Sequence, residues 1–422
     1  MKDERIKKDI DTNIDKDINK NANVNYNLPD GVSQIIKQVD VAKQSLEYIK
    51  KRANGEIQYL KTGYYSIDYR LMSGGFEPNS ILVLSGLSGS GKSTLSKRLI
   101  YSIHDNMIKH KKKVKTLCFN FEMLALKTFN RELANVSRLD LNQLYSTTDK
   151  LDDSIFEELE TKYAKEISKY HIDYVENPIT VSNLVSTVYY YWNKNCNGSQ
   201  IYNQDVTYIV EIDHTMLTKQ DEGQDAKKKV DELMEGLVTL KKRIHSMGGN
   251  IFFIVISQMN RDIKSSDRIK IPNMQRPMTS DLFQSSTVEH CADYIIVAHN
   301  PSKLNLQGYT EDNLPINVAL SIEDRKTIGN NNITNINKTN DINNYIIELT
   351  DGADNIRQFI YFHLLKCRDG EPDKYIAMIN DLRYFNYIEV PLNDIKTIIN
   401  THHSNLLPEY YCIITDGKFN NK

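Results

Sequence analysis

Residues 81–94 read Ile-Leu-Val-Leu-Ser-Gly-Leu-Ser-Gly-Ser-Gly-Lys-Ser-Thr, an apolar run that passes directly into a glycine-rich turn. The run at 81–85 predicts a strand, and the residues after it predict a helix over 92–110. Gly86, Gly91, Lys92 and Ser93 hold the fixed positions of G-x-x-x-x-G-K-[ST]. Such a loop binds phosphate because consecutive N–H groups turn inward and little side-chain bulk stands in the way. Gly86, Gly89 and Gly91 supply that freedom, with Ser88, Ser90 and Thr94 filling the other candidate positions. The helix beginning near Lys92 adds its positive dipole end. Lys92 is the candidate for the β- and γ-phosphates, and the Ser93 hydroxyl for Mg²⁺. A glycine-rich turn that matches by accident is the alternative; a strand before it and a helix after it speak against that. These residues imply a site for ATP or another nucleoside triphosphate with Mg²⁺.

The chain has 422 residues and a formal net charge of −2, enough length for a large core and no overall basic character. That balance excludes a wholly basic nucleic-acid coat but leaves room for a channel lined locally with Lys and Arg. Cysteines at 118, 196, 291, 367 and 412 form no C-x-x-C pair and no metal-ligand spacing, which is expected of a reducing cytosol. The opening residues are charged and polar, and no apolar run approaches membrane-spanning length. A cytoplasmic protein without membrane contact is expected.

Residues 1–32 are dominated by Lys, Asp, Asn and Ile without period and predict a poorly ordered tail. Over 33–56, Ile35, Ile36, Val39, Ala42, Leu46 and Ile49 recur at helical steps, predicting an amphipathic linker helix ended by Asn54-Gly55. From 57 to 422, strand and helix patterns alternate. Strands are expected at 81–85, 116–121, 207–212, 250–257 and 293–298, with helices including 92–110, 123–138 and 224–247. That succession implies an α/β domain with a mainly parallel sheet. Runs at 356–366 and 374–380 around Asp369-Gly370 predict an antiparallel pair, and 328–344 an Asn-rich flexible insertion.

Ligands of open parallel sheets sit at the carboxyl ends of the strands. Glu122 ends the strand at 116–121 and is suited to orient or deprotonate an attacking water; a solvated Glu on a first helical turn is the plain alternative. Asp213 ends the strand at 207–212 and suits Mg²⁺ held together with Ser93, while Glu211 competes from within the strand. Gln258, after the strand at 250–257, has an amide placed to sense a γ-phosphate.

Several stretches then converge on a family. Thr62-Gly63-Tyr64, Ile67-Asp68, Leu71, Gly74-Gly75-Phe76 and Pro78, followed by the phosphate loop, resemble the opening of the DnaB-type replicative helicase domain. Phe121-Glu122-Met123 with Arg131, Ile212-Asp213-His214, Ser257-Gln258-Met259-Asn260-Arg261, Arg276-Pro277, Ser280-Asp281-Leu282, Glu289 and Ala292-Asp293 follow in family order. Lys366-Cys367-Arg368-Asp369-Gly370 is similar to the family's late Lys-x-Arg-x-Gly. The resemblance covers about residues 57–390. It implies a RecA-like ATPase core, a homo-hexameric ring with nucleotide between subunits, and single-stranded DNA in the central channel. It implies Glu122 as catalytic base and Arg368 of the adjacent subunit as arginine finger, with Lys366 beside it at the nucleotide. It also implies that the linker helix packs on the next subunit.

The resemblance has two departures. Where the family's DNA-contacting loop has Asp-Leu-Arg-Glu-Ser-Gly, this chain reads Asp281-Leu282-Phe283-Gln284-Ser285-Ser286. Gln284, Ser285 and Ser286 remain candidates for the DNA backbone, and Phe283 either stacks on a base or packs inward. Arg261, Lys264, Arg268 and Lys270 are an alternative source of positive charge. The second departure is the short N-terminal region, which implies that primase and helicase loader are separate proteins. The Asn-, Ile-, Lys- and Tyr-rich composition and this trimmed plan are expected of a phage or viral member. A RecA-like recombinase or filament-forming DNA-binding ATPase is the competing reading, and a ring ATPase acting as loader or scaffold is another.

Overall fold

The computed structural model describes residues 37–71, 74–195, 206–215, 226–283, 285–306, 308–310, 314, 316–319, 356–370, 372 and 374–390. The tail expected over 1–32 and the insertion expected over 328–344 lie outside the described residues.

The apolar run forms β1, Ser80–Ser85, every residue of which is buried. A strand covered on both faces needs no polar alternation, so its sequence is continuously apolar. Ile81 and Val83 enter one core while Leu82 and Leu84 enter another, since successive side chains leave a strand on opposite faces. The other parallel strands are β2 (Lys113–Asn120), β3 (Ile172–Val175), β4 (Val206–Asp213), β5 (Asn250–Ile256) and β6 (Tyr294–His299). They follow the order β6-β1-β5-β4-β2-β3. Beyond β6 the sheet turns antiparallel through β8 (Ile356–Cys367), β9 (Lys374–Asp381) and β10 (Asn386–Val390), with the short β7 (Asn317–Ala319) pairing to β8. The expected antiparallel pair at 356–366 and 374–380 is thus β8 and β9.

The helices that position the site are α1 (Gln38–Ala53), α2 (Tyr65–Arg70), α3 (Lys92–Lys109), α4 (Ala125–Ser137), α5 (Val181–Asn195), α6 (Ala226–Ser246) and α7 (Ser285–Cys291). From α5, Val181, Leu184, Val188 and Trp192 enter the core on one side of the sheet, and α6 adds Val230, Leu233, Leu237, Leu240 and Ile244. The opposite face is closed by Leu95, Leu99, Ile100 and Ile103 of α3. Each such fully buried aliphatic side chain contributes about 1.5–3 kcal/mol.

Elements not expected from the sequence include β3, β10 and α5. The α5 segment Val-Ser-Asn-Leu-Val-Ser-Thr-Val-Tyr-Tyr-Tyr-Trp is rich in β-branched and aromatic residues, which favour strand. Its apolar residues nevertheless repeat at helical steps, and burial against the sheet decides the outcome. Of the linker expected over 33–56, residues 33–36 lie outside the described residues. Lys37 is extended, α1 starts at Gln38, and Asn54 with Gly55 at φ 70° ends it.

No residue of α1 is buried, and Val39, Leu46 and Ile49 of its apolar stripe are each more than half exposed. Its last turns are pinned. Arg52 pairs with Glu77 and stacks over Tyr59, and the Tyr48 hydroxyl donates to Glu77 at 2.7 Å.

Candidate functional site

β1 lies between β5 and β6, so the chain must leave the sheet's centre and cross over to reach β2. Crevices at such switch points, outside the carboxyl ends of the strands, are where open α/β sheets bind ligands. The glycine loop occupies that position. Gly91 sits at φ 89°, and a Cβ there would lie 1.6 Å from the Tyr387 hydroxyl oxygen. At Gly86 a Cβ would lie 2.4 Å from the Ala298 carbonyl oxygen. Both positions therefore exclude a side chain, by conformation and by space.

Lys92 opens α3 and donates to the carbonyls of Gly86 and Leu87 at 3.0 Å each. Burial pushes its ammonium down to about 8, against the opposing pull of Asp213 and Glu122. Ser93 and Thr94 line a cleft together with Arg98, Arg131 and Phe385. Ser88 is exposed and its carbonyl accepts from Lys303 at 2.9 Å. Ser90 is buried, with no partner for its hydroxyl among the described residues.

The strand ends bring the carboxylates together. Asn120 and Asp213 are register partners across β2 and β4, and Glu122 follows two residues beyond β2. Asp213 is 7% exposed and hydrogen-bonded to Ser93; burial raises its carboxyl to about 6, with Glu211 adding to the rise. Glu211 is completely buried and engaged by Lys97 and Ser96 of α3, so it is occupied within the core. Two residues apart, the two carboxylates share a face of β4, with Glu211 inside the strand and Asp213 at its end. Asp213 Oδ1 is buried with no hydrogen-bond partner among the described residues. A buried, unpaired carboxylate oxygen beside a serine hydroxyl and a glycine cradle fits a hard divalent cation such as Mg²⁺ bound with phosphate.

Glu122 is largely exposed, its carboxylate 3.7 Å from His214 Nε2. The same ring nitrogen is 3.3 Å from the side-chain amide nitrogen of Gln258, which follows β5. Burial lowers the His214 pKa, Glu122 opposes the shift, and Lys92 and Lys229 reinforce it.

Sequence reasoning missed two side chains on the loop, Lys303 and Tyr387. Both arrive from more than 200 residues away, and neither carries a local pattern. Tyr387 of β10 is fully buried and donates to the Gly91 carbonyl at 2.8 Å. Removing a neutral hydrogen bond costs about 1 kcal/mol. Tyr387→Phe is therefore expected to raise the KM for ATP about fivefold with the fold intact, as checked by steady-state kinetics and melting. Unaltered kinetics would mean that the hydroxyl does not steady the loop.

Arg368 and Lys366 lie at the other end of the sheet. Cys367 is in register with Tyr294, which is in register with Leu82, and the Arg368 N–H donates to the Asp293 carbonyl. At about 3.3 Å per residue, the level of Ile81 stands roughly 16 Å from Gly86. Arg368 is more than half exposed and 3.3 Å from Asp293. Lys366 donates to the Glu289 carbonyl, and its pKa is lowered by burial and by Arg368.

Of the candidate DNA contacts, Arg261 and Lys264 are exposed on a short 3-10 turn. Ser285 begins α7 and Ser286 is exposed on it, whereas Gln284 lies outside the described residues. A bridge between Met259 and Leu282, with Asn260 N–H to Asp281 O at 2.7 Å and Phe283 N–H to Gln258 O at 3.1 Å, draws the two segments together. Phe283 is half-buried and packs against the core, which is the inward alternative. Arg268 is not available as surface charge. It is buried, paired with Asp281 and hydrogen-bonded to the carbonyls of Met274 and Arg276.

Among the described residues, no helix is long and apolar enough to cross a membrane. No curated protein sequence matches the chain. Solved structures do. The ATPase domain of one DnaB-like helicase superposes with a TM-score of 0.57 at 16% identity, covering 85% of this chain and all of that one. A DnaB-like replicative helicase, solved in a study of its interactions with primase, gives 0.55 at 17% identity over 85% of this chain and 69% of that one. At such identities the likeness establishes the fold, a RecA-like ATPase core. The family model described as DnaB-like helicase C terminal domain matches residues 59–338, about two thirds of the chain, and it is to the DnaB-like helicases that this chain belongs.

Proposed function

We propose that the chain is an ATP-driven replicative DNA helicase that works as a homo-hexamer and moves along single-stranded DNA. The observation that carries this reading is the separation of the two halves of the chemistry. Lys92, Ser93, Asp213 and Glu122 share one end of the sheet, while Arg368 stands level with Ile81 at the other. An arginine at that distance cannot reach its own subunit's triphosphate; it serves a neighbour's.

In the assembled site, Lys92 holds the β- and γ-phosphate oxygens, and the cleft beside Ser93 and Thr94 takes the rest of the nucleotide. Ser93 and Asp213 hold Mg²⁺, which supplies charge neutralisation on the phosphates. Glu122 aims the attacking water and accepts its proton. Arg368 of the neighbouring subunit, with Lys366 beside it, stabilises the charge that grows in the transition state. Gln258 reports the γ-phosphate to the segment that carries Ser285 and Ser286, with Arg261 and Lys264 supplying positive charge to the strand.

The exposed stripe of α1 is read as the contact with the next subunit. Leu46→Asp combined with Ile49→Asp is expected to shift assemblies from hexamer to smaller species by mass photometry. A variant that keeps the full hexameric mass would show that the stripe plays no part in assembly.

The function is tested by strand separation on forked DNA with and without ATP. ATP-dependent release of the displaced strand is expected. Hydrolysis without any release would overturn the helicase reading in favour of a ring ATPase that loads or scaffolds other proteins.

A further inference from the structure

We propose that His214 is a positioning residue that couples the DNA-facing segment to the carboxylate of Glu122. The inference rests on the helicase reading above and deepens it.

Three consecutive strand ends meet here: β2 leads to Glu122, β4 to His214 and β5 to Gln258. His214 is 8% exposed, and its Nε2 faces two groups at once. The Gln258 amide is at 3.3 Å and the Glu122 carboxylate at 3.7 Å. A ring nitrogen has one proton or one lone pair to offer in the neutral imidazole, so it serves one of them fully at a time. The 3.3 Å contact lies near the outer limit of a hydrogen bond and the 3.7 Å contact beyond it. The Gln258 amide nitrogen donates, so Nε2 accepts there with its lone pair, whereas a carboxylate only accepts; the exchange therefore combines a shift of well under about 1 Å with transfer of the imidazole proton from Nδ1 to Nε2.

Gln258 is itself tied to the segment that approaches DNA. Its carbonyl accepts from Phe283 N–H at 3.1 Å, and Met259 bridges Leu282. Asn260 N–H donates to the Asp281 carbonyl at 2.7 Å. Displacement of 281–286 by a bound strand thus drags the residues next to the amide, and the amide's hold on His214 Nε2 changes with it. When Gln258 withdraws, Nε2 turns to the Glu122 carboxylate. That carboxylate is 61% exposed, so packing alone does not fix its aim. An edge-on imidazole supplies the missing constraint and turns the carboxylate toward the phosphate loop. The device needs a planar group that can accept from the amide in one state and donate to the carboxylate in the other, which an imidazole does.

The experiment uses the full chain and measures Mg·ATP hydrolysis with and without a thymidine homopolymer, for wild type, His214→Phe and His214→Gln. Phenylalanine keeps the ring and removes both nitrogens; glutamine restores a donor and acceptor at similar reach. In His214→Phe the KM for ATP is expected to stay within about twofold, while the DNA-stimulated to unstimulated ratio of kcat falls about tenfold, the scale of a mis-aimed catalytic group. His214→Gln is expected to recover most of that ratio. A His214→Phe ratio equal to wild type overturns the coupling. So does a His214→Gln variant no better than His214→Phe, which would assign His214 to packing. A wild-type chain whose hydrolysis is indifferent to DNA overturns the helicase reading itself, and the coupling with it.

Discussion

Lys92→Ala is expected to lower nucleotide hydrolysis at least about 10²–10³-fold, the cost of deleting one electrostatic contact to a transition state. Its fold is expected to survive. Lys92 is a partly buried cation at the start of α3, where the helix dipole is unfavourable to positive charge, so its loss relieves a strain on the free protein. The loop carbonyls of Gly86 and Leu87 each lose a donor in exchange. Coupled-assay turnover and thermal melting separate the two effects. A variant that turns over ATP near the wild-type rate would remove the assigned site.

Arg368→Ala leaves ATP binding within about twofold and stops hydrolysis, with a loss of about 10³–10⁵-fold if the guanidinium acts as an arginine finger. Stability has little stake in this residue. Its ion pair with Asp293 is largely exposed on the arginine side, where such pairs contribute about 0–1 kcal/mol. Asp293 also retains Lys241 and the Ile81 N–H, the latter at 2.8 Å. The sharper measurement mixes two inactive variants. In rings co-assembled from Arg368→Ala and Lys92→Ala subunits, an intact cradle can adjoin an intact arginine, so partial activity is expected to return. Mixtures that remain as dead as either parent would sink the proposal that the arginine acts across the subunit boundary.

The parts of the site that were readable from the sequence are those built by local rules. The loop at 86–93 has a fixed spacing, and β1 is a continuous apolar run because both its faces are covered. Asp213 and Glu211, two residues apart, share a face of β4, so it is position at the end of the strand that separates them, with Glu211 taken up by Lys97 inside the core. What escaped depends on chain segments meeting from afar. Nothing near Tyr387 or Lys303 marks either as a neighbour of the phosphate loop. Arg261, Lys264, Arg268 and Lys270 read together as a source of positive charge, yet Arg268 folds inward onto Asp281, the one buried position of its short helix. β3, with four residues and none fully buried, offered too short a pattern to detect. Helix α5 was obscured by its own composition, since Val, Thr, Tyr and Trp favour a strand until a sheet face is present to pack on.

The hydroxyl that grips Gly91 has a temporal consequence. β10, which carries it, is the strand of the described sheet that emerges from the ribosome after all the others. A nascent chain can therefore complete its glycine turn and α3 hundreds of residues before the hydroxyl that steadies the turn exists. The Gly91 carbonyl thus lacks this donor in the nascent chain until the last described strand has been made.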